Sequence, residues 1–365
     1  MKSNQVFYLF FAAIAIVFGL AGCDSSGGKN TSMMPRAKGE PSEVILVMDS
    51  TLWNGELGVE VRRTFSAPVP GLLQDEPLFS LKQVHPLNFV SILRQARNII
   101  FVTVLENNSK AGQRMKSYFT QESLDRIRSE SDLYMLTKED EFAQGQKVLH
   151  LFGNTEEELM RNLVKHREAL RDYFMKIEIN RIQDKLFAGT MEKNISKMLK
   201  SNHDFTMKIP YGYKVSMNED NFVWLRQLDR EVEKNIYVYY EDYRDEKSFN
   251  LKPLVDLRDK IGETYIYDIE DKEVFMTTET LVPLDSNRVN FNNKFAVSLR
   301  GMWKLSKNAL GGAFVSYAFV DEELNRFYYI EGYIVNPGKK KRDVIREMMA
   351  ILNTFKTTGE SQANA

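Results

Sequence analysis

The chain has 365 residues, 43% hydrophobic and 12% aromatic, which is enough apolar material for one or two packed domains. Its 49 Lys and Arg stand against 50 Asp and Glu, and this near-balance argues against a nucleic-acid-binding surface. One cysteine excludes a disulfide framework.

The first element is a leader. Lys2 supplies a positive start, and Val6 to Leu20 is almost wholly apolar but short of the ~20 residues that span a bilayer. It ends in Leu20-Ala21-Gly22-Cys23, which resembles the lipobox of bacterial lipoproteins, Leu20 lying three residues before the cysteine and Ala21 and Gly22 fitting a narrow peptidase cleft. The resemblance implies that residues 1–22 are a signal peptide, that the Cys23 thiol carries diacylglycerol and that the new amino terminus is acylated. Two or more chains give lasting membrane residence. No thiol then remains for a disulfide, a thiolate metal site or a nucleophile. Residues 23–40, rich in Ser, Gly and Lys, read as a flexible tether.

Beyond the tether the expected fold is α+β: two related halves, 41–190 and 203–358, each an antiparallel sheet backed by helices, joined by a long helix and followed by a disordered tail over 359–365. Relatedness rests on two echoes. Asn88-Phe89-Val90-Ser91-Ile92-Leu93-Arg94-Gln95 returns as Asn221-Phe222-Val223-Trp224-Leu225-Arg226-Gln227, and Arg97-Asn98-Ile99-Ile100-Phe101-Val102 as Lys234-Asn235-Ile236-Tyr237-Val238-Tyr239. Short helices are expected near 121–128 and 251–260. Thr155 and Glu158 form a capping box opening a helix that, if unbroken, runs to Phe187, with Leu159, Leu163, Leu170, Phe174 and Ile177 on one stripe. His166 lies on that stripe as a core residue. The seam between halves is expected near 189–202.

The second half carries strand-like runs at 236–240, 273–280, 295–304, 313–320 and 327–335, with a β-rich insertion over 272–320 and a tight hairpin at Asn292-Asn293. Phe327, Tyr328, Tyr329 and Tyr333 put rings on both faces of one strand, which is either sandwiched between layers or offers one face to a ligand. Gly332 in its middle marks a bulge or a close backbone approach. Lys339-Lys340-Lys341-Arg342 opens the last helix, where four cations oppose the helix dipole. Either an anionic partner, such as a lipid headgroup, an envelope polysaccharide or an acidic envelope protein, offsets that cost, or the run is a solvated loop and the helix begins at Asp343.

These residues carry a family resemblance. The lipobox, Asn221 to Arg226, Gly301-Met302-Trp303, Gly311 to Asp321, and the tail from Glu331-Gly332-Tyr333 to Asn353-Thr354-Phe355 are together similar to a family of Bacteroidota lipoproteins that is a domain of unknown function. The family implies no catalytic residues. More loosely, strand-rich halves closed by a helix ending Ile-Leu-Asn-Thr-Phe-Lys resemble the photosystem-P-subunit-like fold, mostly assembly factors. The tether lacks the acidic run after the cysteine that resembles a surface-export signal in some such lipoproteins, so a periplasm-facing position in the cell envelope is expected. Asp49-Ser50-Thr51 resembles an O-glycosylation tripeptide of exported Bacteroidota proteins.

No catalytic signature stands out. His85, His150, His166 and His203 never pair at metalloprotease spacing, and no nucleophile elbow, phosphate loop or dinucleotide fingerprint occurs. Ser26-Gly27-Gly28-Lys29 fits a Ser-x-x-Lys pattern but sits in the tether. His203-Asp204 reads as a loop pair rather than a metal site. No metal and no cofactor are expected. Glu139-Asp140-Glu141 and Asp242, Asp245 and Glu246 are the densest carboxylate groups outside helix starts, and a pair drawn from such loops is the requirement of the alternative, a periplasmic hydrolase of envelope glycan or peptide. The leading expectation is a non-catalytic, lipid-anchored binding or scaffolding module.

Overall fold

The computed structural model describes residues 34–363; Leu20, Ala21, Gly22 and Cys23 lie outside the described residues. In the N-terminal domain β1 (Glu43–Val47), β3 (Asn98–Val104) and β5 (Lys147–Gly153) are buried almost throughout. Strands apolar on both faces need cover on both, which suits parallel strands joined by crossovers. Accordingly β1 runs parallel to β2 (Ser80–Val84) and to β3, and β3 parallel to β5. Only the edge strand β4 (Met135–Glu139) is antiparallel, in the order β2-β1-β3-β5-β4. This sheet is thus mostly parallel, a correction to the antiparallel one expected from the sequence.

One face of this sheet is covered by α1 (Ser50–Asn54), α2 (Glu56–Phe65), α5 (Glu156–Lys165) and the first half of α6 (Arg167–Phe187), through Leu57, Phe65, Leu159, Leu163 and Phe174. The other carries α3 (Lys110–Lys116) and the 86–95 crossover around Phe89 and Phe101. The short α4 (Gln121–Ser129) lies where expected. The long helix breaks at His166 (φ −112°, ψ 17°), which ends α5 and starts α6. His166 is half-exposed and stacked on Tyr134 at 4.4 Å, not a core residue. The apolar stripe survives the break. Leu170, Phe174 and Ile177 of α6 enter the first core, and Ile179, with Ile182 and Leu186, enters the second.

The C-terminal domain begins with α7 (Lys193–His203), whose Ile195 and Leu199 are core residues, so most of the expected seam is helix. Its large sheet is antiparallel throughout, in the order β10 (Met276–Thr278), β12 (Lys294–Leu305), β13 (Gly311–Asp321), β14 (Arg326–Val335), β9 (Glu233–Asp242), β8 (Phe222–Leu228), β7 (Lys214–Glu219). β11 (Asp285–Phe291) pairs with β12 through Asn292 and Asn293, both at positive φ, the tight hairpin expected. α8 (Leu251–Tyr265) backs one face and α9 (Arg342–Leu352) the other. β6 (Phe205–Thr206) pairs with β15 (Lys356–Thr357), and α10 (Thr358–Ala363) is a short helix where a disordered tail was expected. β12 and β13 run through the middle of the sheet, so the 272–320 segment is part of its frame rather than an insertion.

The halves are not repeats of one unit. The Asn88–Gln95 string forms two 3-10 turns, whereas its echo is strand β8, and the two sheets differ in direction and order. Short apolar strings recur because many buried segments share a composition. β14 is sandwiched: Tyr328 faces the α9 side, and Phe327, Tyr329 and Tyr333 the α8 side, all buried. Gly332 permits α9 to approach, since a Cβ there would lie 2.7 Å from the Met348 Cβ.

The domains join at the start of α9. Its buried amides need acceptors, and each one left without costs ~1–3 kcal/mol. Glu76 of the N-terminal domain supplies both: its carboxylate accepts from the Lys341 and Arg342 amides at 2.7 and 3.1 Å. The Arg342 guanidinium donates to the Pro77 carbonyl at 2.8 Å and to Ser80 Oγ at 3.2 Å. One turn on, Arg346 donates to the Leu78 carbonyl at 2.6 Å and to Ser42 Oγ, and lies over the Phe79 ring. Burial, reinforced by the charge of Arg342, pushes Arg346 down to about 10, still cationic at neutral pH. The Ser42 amide donates to Glu178 Oε2 at 3.1 Å. Burial alone would raise Glu178, but Asn98, Arg181 and the Ser42 amide hold it below the ordinary carboxylate range.

Two outcomes follow from this junction. Glu76→Ala should remove about 3 kcal/mol from urea unfolding, while Lys340→Glu, at an exposed position, should change it by under about 0.5. An unchanged midpoint for Glu76→Ala refutes the cap. Because the folded Glu178 value is depressed, its contribution is complete above the ordinary value of 4.5 and is lost as pH falls through the folded value. Glu178→Gln should therefore lower stability at neutral pH and flatten the acid limb, read from denaturation midpoints across pH 3 to 7.

Candidate functional site

The four cations that open the last helix do not form one surface. Lys341 and Arg342 are buried in the domain junction, with Glu76 as the anion at the helix start. Lys339 is exposed and paired with Glu231 at 2.9 Å, and Lys340 is exposed. The anion-binding reading of this run is corrected: the charge that offsets the dipole cost comes from the chain itself. The helix starts at Arg342 with Lys341 as cap, one residue before the Asp343 start considered from sequence.

His203 is likewise structural. Its ring meets Tyr240 Oη at 3.0 Å and Asn218 Oδ1 at 2.7 Å, and Asp204 takes the left-handed turn that ends α7. His150 lies 3.7 Å from Glu141 on the buried face of β5, stacked on Phe101. In the 139–141 group Glu139 pairs with Lys147, Asp140 accepts from the Gly145 amide at 2.6 Å, and Glu141 is 3.3 Å from Lys138. These carboxylates fasten a turn. Among the described residues no group of His, Cys, Asp and Glu could hold a metal ion.

The first domain has one conventional place for a ligand, the carboxyl ends of β1 and β3, where the strand order reverses. Asp49 sits there with its oxygens already engaged by the Thr51 amide at 2.9 Å, Asn107 at 3.0 Å and Ser109 at 3.0 Å. Burial opposes its charge, but these donors keep its carboxyl below the ordinary range. The site is filled by the chain's own side chains.

A polar cluster invisible in the sequence joins α8 to β14. Arg258 makes a two-pronged contact with Glu331 at 2.9 and 2.8 Å and lies 3.9 Å over Phe314, and Tyr329 donates to Glu331 at 3.0 Å. Burial raises Glu331 and Arg258 opposes the rise. Both partners are fully sealed from solvent, so this pair organises the core rather than handling a substrate. The other raised carboxyl, Asp172, is shifted by partial desolvation and by Glu168 on the outer side of α6. The two do not share a cleft.

An open groove of about 1130 Å³ lies at one end of the large sheet. A 3-10 turn over Glu246–Phe249, the β11–β12 hairpin and the β13–β14 turn form its walls. Its floor is a chain of rings rising out of the core: buried Phe327 meets Phe249 at 5.5 Å, and Phe249 meets Phe295 edge-on at 5.2 Å. Phe295 is 54% exposed, an apolar face held open by the pairing that fixes the hairpin. Lys294 is engaged by Glu360 at 3.0 Å and by Asp321 at 3.6 Å. Arg288, Lys247, Glu246 and Glu322 line the rim with no ion-pair partner among the described residues. Glu246 stands out by local carboxylate density, whereas only strand register brings Phe295 and Arg288 to one place.

Residues 37–187 match the profile of a family described as Domain of unknown function (DUF8532), and residues 192–354 that of Domain of unknown function (DUF4837). No curated protein matches the chain. Among solved structures it is similar to the Saccharomyces cerevisiae Ran-binding protein Mog1p, at 10% identity over 42% of this chain and 90% of that one, with a TM-score of 0.30. A point mutant of Mog1 gives 10% identity, 44% and 94% coverage and a TM-score of 0.29. Human StAR-related lipid transfer protein 5 gives 11%, 51%, 98% and 0.16. The described residues thus form two adjoining domains, each similar to a family whose function is unknown.

Proposed function

We propose that this protein is a lipid-anchored lipoprotein of a bacterial cell envelope, of the Bacteroidota type and facing the periplasm, whose body is a non-catalytic module binding an envelope glycan in the groove over Phe295. The anchoring part is supported by Leu20-Ala21-Gly22-Cys23 after an apolar leader. The binding part is carried by one observation, the exposed Phe295 ring seated on Phe249 within a rim of uncommitted donors and acceptors. A ring face offers a flat apolar platform, and Arg288, Lys247, Glu246 and Glu322 offer hydrogen bonds of both senses at its edges, a combination suited to a polyhydroxylated chain. The hydrolase alternative requires two facing carboxylates, one held protonated. Asp172 and Glu331, the raised carboxyls among the described residues, lie outside the groove lining.

Cys23→Ala should move the protein from the membrane to the soluble fraction and remove the lipid mass from the intact chain. Phe295→Ala should weaken retention on immobilised envelope polysaccharide about tenfold, while lowering unfolding stability by no more than about 1.5 kcal/mol. Retention of a peptide digest instead of the polysaccharide replaces the glycan with a peptide ligand; release of reducing ends from the polysaccharide by the purified protein overturns the non-catalytic reading.

A further inference from the structure

The described chain starts on one side of the N-terminal domain, and that side has its own character. Met34 begins it, and Ala37 and Lys38 are at once fastened: the Ala37 amide donates to the Gln144 carbonyl at 2.9 Å, the Lys38 amide to the Gln95 carbonyl at 2.7 Å, and the Arg97 amide to the Lys38 carbonyl at 3.0 Å. Beside this strap is a shallow pocket of about 540 Å³ lined by Arg36, Arg97, Arg181 and Lys185, with Asp184 as its acidic member. Arg181 is committed to Glu178 at 2.8 Å. Arg36, Lys38, Arg97 and Lys185 have no ion-pair partner among the described residues.

The same strap touches the end of the 86–95 crossover, which carries exposed aliphatic side chains. Val90 is 53% exposed and Ile92 74%. The segment is compact: the Leu93 and Arg94 amides donate to the Val90 carbonyl and the Gln95 amide to that of Ile92. At ~2 Å of rise per 3-10 residue, Ile92 therefore stands within about 10 Å of Gln95, on which Lys38 is bonded. The inner side of the segment is fixed by Phe89, which packs on Phe101 at 5.3 Å, so the outward pair is held rigidly.

We propose that this side is the membrane-seating surface of the body, in which Val90 and Ile92 dip into the headgroup layer while Arg36, Lys38, Arg97 and Lys185 meet anionic phosphates. The inference rests on the lipid-anchored reading above. Cys23 is eleven residues upstream of Met34, so whatever the intervening conformation an acyl anchor there keeps Met34 within ~40 Å of the bilayer. The side bearing Met34 is the one nearest the anchor along the chain, and it combines cations with protruding aliphatic groups, the pair of features that holds proteins at anionic interfaces.

The test uses the full acylated chain, in which lipid occupies the Cys23 thiol, so that Ile92→Cys or Leu281→Cys introduces the sole reactive thiol. Leu281, 87% exposed, lies in the C-terminal domain and serves as the comparison. Each is labelled with an environment-sensitive fluorophore and anchored on vesicles containing about one third phosphatidylglycerol in phosphatidylethanolamine, with spin-labelled lipid as quencher. The label at 92 should be quenched at least about threefold more than that at 281, and Arg36→Glu with Lys38→Glu, or ~0.5 M salt, should bring the two together. Equal quenching at 92 and 281 in the parent overturns the proposal, as does a difference unaffected by charge reversal. Failure of the anchoring reading shows separately, as an intact mass without lipid; in that event the same labels in a Cys23→Ser chain mixed with the same vesicles give the decision on the surface, by the same criterion.

Discussion

The structure depends on where the free amides at the start of α9 find an acceptor. A helix end buried between two domains would be untenable alone, and four basic residues at that end make it worse. Glu76, 265 residues away in sequence from Lys341, resolves both problems with one carboxylate. Around it Arg342 and Arg346 take the carbonyls of Pro77 and Leu78, so the segment between α2 and β2 is fixed by the other domain as well as by its own. Charge, dipole and main-chain hydrogen bonding meet at one point between the two domains.

Much of the C-terminal domain was legible because long strands rich in β-branched and aromatic residues announce themselves by composition, although β13 and β14 are covered on both faces. Val, Ile, Tyr and Phe runs at 295–304, 313–320 and 327–335 mark β12, β13 and β14, and Asn292-Asn293 marks the turn through side chains that tolerate positive φ. The N-terminal domain was harder. Val44 to Val47 and Ile99 to Val104 are apolar without alternation, which signals parallel strands covered on both faces, but strand direction is settled by the connections and not by the strands. His166 shows a finer limit: the helical stripe continues across it, and the break is a matter of one residue's dihedrals.

The candidate site was less legible than the fold, for a related reason. Local density singles out Lys339 to Arg342 and Glu139 to Glu141, yet Lys341, Arg342 and the three carboxylates are committed within the chain. Phe249, Arg288 and Phe295 are unremarkable separately and become a groove only through the register of β11 on β12 and the packing of the turn before α8. The same applies to Arg258 and Glu331, 73 residues apart, whose union seals α8 to the sheet. Long-range pairings of this sort leave no local trace.

Helix α6 has a consequence for how this molecule can be divided. Its leading turns place Leu170 and Phe174 in one core, and its trailing turns place Ile179, Ile182 and Leu186 in the other. A gene severed at the connection to α7 would yield a first fragment with a bare greasy ridge and a second with an uncovered trough. The two domains therefore share one helix, and shuffling either into a new setting would require a replacement for half of it.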